Sequence, residues 1–117
     1  MTDTVAIWHN PRCSKSRETL ALLEENGVSP VVVLYLDTPP SVAEIKTVLR
    51  ELKFDDARKL MRTKEALYSE LGLAAVTDQE ALIQAMHDNP KLIERPVVSK
   101  GKHARLGRPP VQVLELL

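Results

Sequence analysis

The chain has 117 residues, enough for one domain with a real core and no need of disulfides or a structural metal. Its 16 basic and 16 acidic residues cancel, and it holds only one Trp, two Tyr and one Phe, so neither a nucleic acid nor a membrane surface is an expected partner. No apolar run approaches about 18 residues, and "MTDTVAIWHN" lacks the basic flank and apolar core of a signal peptide. A cytoplasmic protein is expected, with its single cysteine, Cys13, kept as a free thiol.

Val5 to Trp8 has the length of a buried strand, and Ser14 to Asn26 carries Leu20, Leu22 and Leu23 ahead of Gly27, a natural helix stop. "VVVLYL" at 31 to 36 is β-branched and continuous, as expected of a second strand covered on both faces and parallel to the first. Pro39 and Pro40 end it. Ser41 and Glu44 then have capping-box spacing for a helix to about Leu52, and Thr77 and Glu80 repeat that spacing before "ALIQAMHD". Residues 41 to 89 are therefore expected to be wholly helical, in three or four short helices. "RPVVS", "KGKH" and "ARLG" read as an antiparallel hairpin, and Pro109 and Pro110 open a C-terminal helix in "PVQVLELL". The expected fold is α/β, a small mixed sheet in the order βαβ, helical insertion, ββα, forming a single domain over 1–117 with the insertion at about 41–89.

Cys13 falls in the turn between the first strand and the first helix. There, unpaired backbone N–H groups and the positive end of the helix dipole favour an anion. A free cysteine with a pKa of about 8.5 is only ~3% thiolate at neutral pH, and lowering that value by about two units makes the nucleophilic form dominant; the helix N-terminus, the hydroxyl of Ser14 or Ser16 steadying the thiolate, and nearby cations are expected to supply that shift together. Cys13 and Ser16 form a C-x-x-S pattern, a dithiol motif with its second sulfur missing. A sulfur-bonded intermediate on Cys13 thus has no partner in this chain to resolve it. The phosphate loop of protein tyrosine phosphatases is excluded, because it needs an arginine six positions after the cysteine and Thr19 stands there.

The stretches "HNPRCSKSRETL" (9–20), "VVLYLDTPP" (32–40), "KLMRTKE" (59–65), "LYSELGL" (67–73), "ALIQAMHDNPKLIERPVV" (81–98) and "ARLGRPPVQVLELL" (104–117) together resemble the glutaredoxin-dependent arsenate reductases of the ArsC type, in particular a shorter, YfgD-like branch. The resemblance spans nearly the whole chain. It implies a thioredoxin-like fold and reduction of arsenate to arsenite through a covalent adduct on Cys13. Glutathione is implied as co-substrate and glutaredoxin as reductant, with no tightly bound cofactor and no metal. Residue by residue, it implies that Cys13 is the nucleophile and that Arg62, Arg95 and Arg108 hold the oxyanion. His9 supports the lowered cysteine pKa, Asn10 and Ser16 belong to the anion loop, and Pro96 is the cis-proline facing the cysteine. Guanidinium forks suit a tetrahedral oxyanion, because they donate paired, charge-assisted hydrogen bonds.

Other residues carry less. His87 and His103 lack metal-ligand spacing with each other or with Cys13. Trp8 reads as packing, and Lys15 and Arg17 as surface charges. A monomer is expected. The rival from another class is an Spx-like regulator that binds RNA polymerase, but such proteins use a C-x-x-C switch, and Ser16 stands at its second position. A reductase of the same family acting on another oxyanion or thiol substrate is the nearer alternative.

Overall fold

The computed structural model describes residues 4–117. The chain divides into two compact units, one made of the N-terminal residues up to Thr38 with Arg95–Leu117, the other of Pro39–Glu94.

The first unit is built on a four-stranded sheet, β1 (Val5–Trp8), β2 (Val31–Val33), β3 (Val97–Lys100) and β4 (His103–Leu106), in the order β2-β1-β3-β4. β1 pairs parallel with β2, Ile7 opposite Val32, and antiparallel with β3, Ile7 opposite Val98; β3 and β4 form the expected hairpin. This βαβ…ββα order, with β3 running against its neighbours, is the thioredoxin-like arrangement implied by the resemblance. Helix α1 (Ser14–Glu25) crosses from β1 to β2 and stops where Gly27 adopts φ +79°. Leu23 of α1 and Val113 of the C-terminal helix are fully buried against Val5, Ile7 and Val98, with Leu20, Val28 and Leu116 closing the cluster. Burial of this one face sets the position of α1, and so of the turn that precedes it.

Two expectations for this unit are corrected. The second strand is only Val31–Val33, and it is an edge strand whose Val31 and Val32 are 53% and 44% exposed. The chain then bends, because Asp37 and Thr38 donate their N–H groups to the carbonyl of Leu34. The last helix, Pro110–Leu116, is a 3-10 helix. Its turns close three residues apart, as in Gln112 N–H to Pro109 O and Leu117 N–H to Leu114 O.

The second unit contains α2 (Val42–Leu52), α3 (Ala66–Glu70) and α4 (Gln79–Asp88), joined by 3-10 turns at Ala57–Leu60 and Leu73–Ala75 and followed by another at Pro90–Leu92. The region is not wholly helical, since Met61 and Ile93 pair as an antiparallel bridge. The capping box at Ser41 and Glu44 is present with both of its hydrogen bonds. The second cap lies one residue later than its spacing predicts: Asp78, not Thr77, caps α4 by accepting from the N–H of Glu80. Arg58 ties the unit together by donating to Tyr68 Oη and to the carbonyls of Leu73 and Val76. No helix among the described residues is long and apolar enough to cross a membrane.

Candidate functional site

Beyond Trp8 the chain leaves the sheet with the N–H of His9 still bonded to Val33 O, at 2.8 Å. Asn10 then shapes the turn twice over, its carbonyl accepting from Cys13 N–H and its Oδ1 from Arg12 N–H, both at 3.0 Å. The turn delivers Cys13 as the N-cap of α1, in extended backbone (φ −95°, ψ 123°). A cap is ordinarily Ser, Thr, Asp or Asn, whose oxygen accepts from the second or third N–H of the helix. The Cys13 side chain makes no cap hydrogen bond of that kind, but the same orphan N–H groups, those of Lys15 and Ser16, lie where they favour its thiolate.

The electrostatics follow from that position. Burial of Cys13 alone would push its pKa up, because it disfavours the charged form. The N–H of Ser16, the positive charge of Arg95, the N–H of Lys15 and a hydrogen bond from Arg95 outweigh burial and hold the thiol below its ordinary value. Arg108 stands beside the same sulfur, with Nη2 3.9 Å from Cys13 Sγ and Nε donating to Arg95 O at 2.8 Å. Both arginines precede cis-prolines, Pro96 and Pro109, so the cis geometry expected at Pro96 is present. Gly107 makes this approach possible. A Cβ there would lie 2.4 Å from Thr19 Oγ1 and 2.7 Å from Pro96 Cγ, and Gly107 N–H donates to Pro96 O.

His9 and Ser16 form the floor of the loop. Ser16 is fully buried; its Oγ lies 2.6 Å from His9 Nδ1 and accepts from Asn10 N–H at 3.0 Å. Burial, and then the charge of Arg17, lower the pKa of His9, so its ring is held neutral and adds no positive charge at the sulfur. The expectation that the Ser16 hydroxyl steadies the thiolate is therefore amended. That hydroxyl is occupied by His9 and Asn10, and the Ser16 group that favours the thiolate is its backbone N–H.

A pH prediction follows with a definite sign. Both folded-state values are depressed, so the stability these groups contribute is present above their ordinary pKa values and is lost as pH falls through the folded ones. Alkylation of Cys13 should titrate with a midpoint below about 8.5. Ser16→Ala keeps the N–H donor and should leave that midpoint low, while costing about 1–3 kcal/mol of stability in urea unfolding through the unpaired Asn10 N–H and His9 Nδ1. A midpoint at or above 8.5 in the unsubstituted protein would remove the activated thiol.

The first unit thus brings together Cys13, His9, Asn10, Ser16, Arg95 and Arg108. Arg62 belongs to the second unit, where its guanidinium lies 3.2 Å from Glu65 and donates to Lys91 O. Lys15 is exposed and faces Glu18, and Arg17 donates to Pro11 O. Trp8 is buried, His87 Nδ1 donates to Pro40 O and His103 is exposed. Among the described residues no group of three or more His, Cys, Asp or Glu side chains could hold a metal ion. Gly107 was not singled out from the sequence; it sits between a β-hairpin strand and "RPP", which is the only signal that could have marked it.

Comparison with known proteins shows the family. Residues 8–116 match the ArsC family. The chain is 61% identical over 118 residues to the "Uncharacterized protein YfgD" of Escherichia coli K12, covering all of this chain and 99% of that one. It is 49% identical to an arsenate reductase of Haemophilus influenzae over 97% of this chain and 99% of the relative. Among solved structures, the arsenate reductase from Vibrio cholerae superposes with a TM-score of 0.96 at 52% identity, covering both chains completely.

Proposed function

Since the chain belongs to the ArsC family, we propose that it reduces arsenate to arsenite through a covalent adduct on Cys13, with glutathione and glutaredoxin as external reductants. The observation that carries this reading is the cap position of Cys13, where two helix N–H groups and Arg95 favour the thiolate and Arg108 stands 3.9 Å from the sulfur. A tetrahedral oxyanion drawn in by the same positive groups meets the nucleophile directly.

The chemistry balances as follows. The Cys13 thiolate attacks arsenic and displaces hydroxide, which leaves as water after taking a proton, giving a Cys13–S–As(V) adduct. A glutathione thiolate then attacks Sγ, forming a Cys13–glutathione disulfide. The S–As bond breaks with its electron pair left on arsenic, and As(III) departs as arsenite after protonation. A glutaredoxin thiolate takes the glutathione from the mixed disulfide and releases the Cys13 thiolate. The two electrons come from two thiols, of which this chain supplies one.

Arginine pairs at the thiolate serve both ends of the first step. Arg95 depresses the cysteine pKa in the resting protein, and both guanidinium groups neutralise the oxyanion as it arrives. The test is turnover under defined thiol regimes. Arsenate alone should give no multiple turnover, and glutathione with glutaredoxin should give sustained arsenite production. Sustained turnover with no added thiol would contradict the mechanism, and no turnover with any thiol would turn the assignment towards another oxyanion.

A further inference from the structure

The buried polar side chains among the described residues are His9, Ser16 and Thr19. His9 and Ser16 meet in the floor of the cysteine loop, whereas Thr19 lies about one turn further along α1 and is fully buried there. We propose that Thr19 is a positioning residue for the reacting sulfur: its hydroxyl anchors the Lys15–Ser16 peptide at the head of α1, and its side chain sets how closely the Arg95 and Arg108 segments approach Cys13. The inference rests on the reading that Cys13 works as a thiolate, and not on the identity of the oxyanion.

The first observation is which carbonyl the hydroxyl binds. Thr19 Oγ1 donates to Lys15 O at 2.7 Å. Threonines in helices often bond back to the carbonyl four residues earlier. This carbonyl, however, shares one planar amide with the N–H of Ser16. Arg17 N–H, bonded to Cys13 O, closes the first turn of the helix, and the Ser16 N–H ahead of it is one of the orphan donors. Against the burial that disfavours the thiolate, that N–H is the largest favourable contribution to it. A donor bonded to one end of an amide polarises it and strengthens the donor at the other end, by roughly 10–30% per bond. The Thr19 O–H, the Lys15 C=O and the Ser16 N–H thus form a row of aligned dipoles that favours negative charge on the sulfur.

The second observation is what lies against the other side of Thr19. A Cβ at Gly107 would stand 2.4 Å from Thr19 Oγ1 and 2.7 Å from Pro96 Cγ, so the Gly107 backbone is pressed between the two. Gly107 N–H donates to Pro96 O at 2.9 Å, which closes the contact. Arg108 follows Gly107, Arg95 precedes Pro96, and the bond from Arg108 Nε to Arg95 O ties the two segments together. The pair of segments therefore rests on α1 at Thr19. Because Cys13 caps the same helix, the thickness of this side chain governs the spacing of guanidinium and sulfur, including the 3.9 Å from Arg108 Nη2 to Sγ. A methyl group is larger than an oxygen, and a tightly packed contact yields to it by displacement.

Alkylation of Cys13 by iodoacetamide, followed against pH, tests the proposal without arsenate. Thr19→Val replaces the hydroxyl by a methyl and keeps the β-branch, whereas Thr19→Ser keeps the hydroxyl. At about pH 6 Thr19→Val should react about threefold or more slowly than the unsubstituted protein, and at alkaline pH, where both thiols are ionised, at the same rate. Thr19→Ser should follow the unsubstituted profile. The rate of the anionic reagent iodoacetate relative to iodoacetamide should also fall in Thr19→Val, because the arginines stand further from the sulfur. A role in packing alone would lower stability in urea and leave the alkylation profile in place. That outcome, an unchanged iodoacetate ratio, or a Thr19→Ser profile displaced as far as that of Thr19→Val would overturn the proposal. Thr19→Ala loses the hydroxyl and adds no bulk, so its pH profile decides in the same way if Thr19→Val does not fold. An unsubstituted profile with its midpoint at or above about 8.5 would remove the activated thiol itself, and this inference with it.

Discussion

Cys13→Ser should fold as the unsubstituted protein does and produce no arsenite above background, a loss on the order of 10⁴-fold or more under any thiol regime. Serine is a better helix cap than cysteine, so stability should be unchanged or higher by roughly 0.5–1 kcal/mol in urea unfolding. Activity fails for two separable reasons. The hydroxyl is not ionised at neutral pH, whereas the N–H groups of Ser16 and Lys15 and the charge of Arg95 bring a thiol below its ordinary pKa. An arsenic ester on oxygen also gives an incoming thiol no sulfur to attack, so no electron pair reaches arsenic. Arsenite formation by this variant at near the unsubstituted rate would place the nucleophile elsewhere.

Arg108→Lys should lower kcat/KM for arsenate by about 10- to 100-fold, in line with about 1.5–3 kcal/mol for a lost charged hydrogen bond. The lysine keeps the charge but cannot both donate to Arg95 O and present a second nitrogen 3.9 Å from the sulfur, as the guanidinium does through Nε and Nη2. Arg95→Lys should show a loss of similar size with an additional upward shift of the Cys13 titration, because Arg95 acts on the thiolate by both charge and hydrogen bond. Alkylation rate against pH, measured beside arsenate kinetics, separates the two roles. Unsubstituted kinetics in both variants would show that these arginines do not hold the oxyanion.

The parts of the fold that were legible in the sequence are those where local signals and burial agree. β1, the turn at Cys13, α1 and its stop at Gly27 followed from an apolar run, a polar junction and a glycine with φ +79°. The capping box at Ser41 is present because both partners are exposed and nothing competes with them. "VVVLYL" misled because an unbroken apolar run looks alike in a buried strand and in a short edge strand that bends. Only the bonds from Asp37 and Thr38 back to Leu34 distinguish the two, and no residue in the run announces them. At 77–80 two adjacent residues could each cap α4, and the charged Asp78 takes the place.

The site was legible unevenly. Cys13 stood out by its junction, whereas Arg95 and Arg108 came only from the family resemblance, since arginines before prolines occur for many reasons. Their convergence depends on the β3–β4 hairpin, which brings residues 95 and 108 to one end of the sheet, with the Arg108 Nε bond to Arg95 O closing the pair. Arg62 came from the same resemblance, and its contacts to Glu65 and Lys91 lie within the second unit. Gly107 was silent in the sequence because its necessity is a packing fact, the absence of room beside Thr19 and Pro96.

The central claim is that Cys13 carries arsenic and hands it an electron pair when an outside thiol attacks the sulfur. Acid-quenched intact mass spectrometry of the protein after a single exposure to arsenate and glutathione, with glutaredoxin omitted, tests it most directly. The account predicts one glutathione disulfide per chain on Cys13, formed in step with one arsenite. Stoichiometric arsenite with Cys13 left as a free thiol, and no glutathione on the chain, would contradict it.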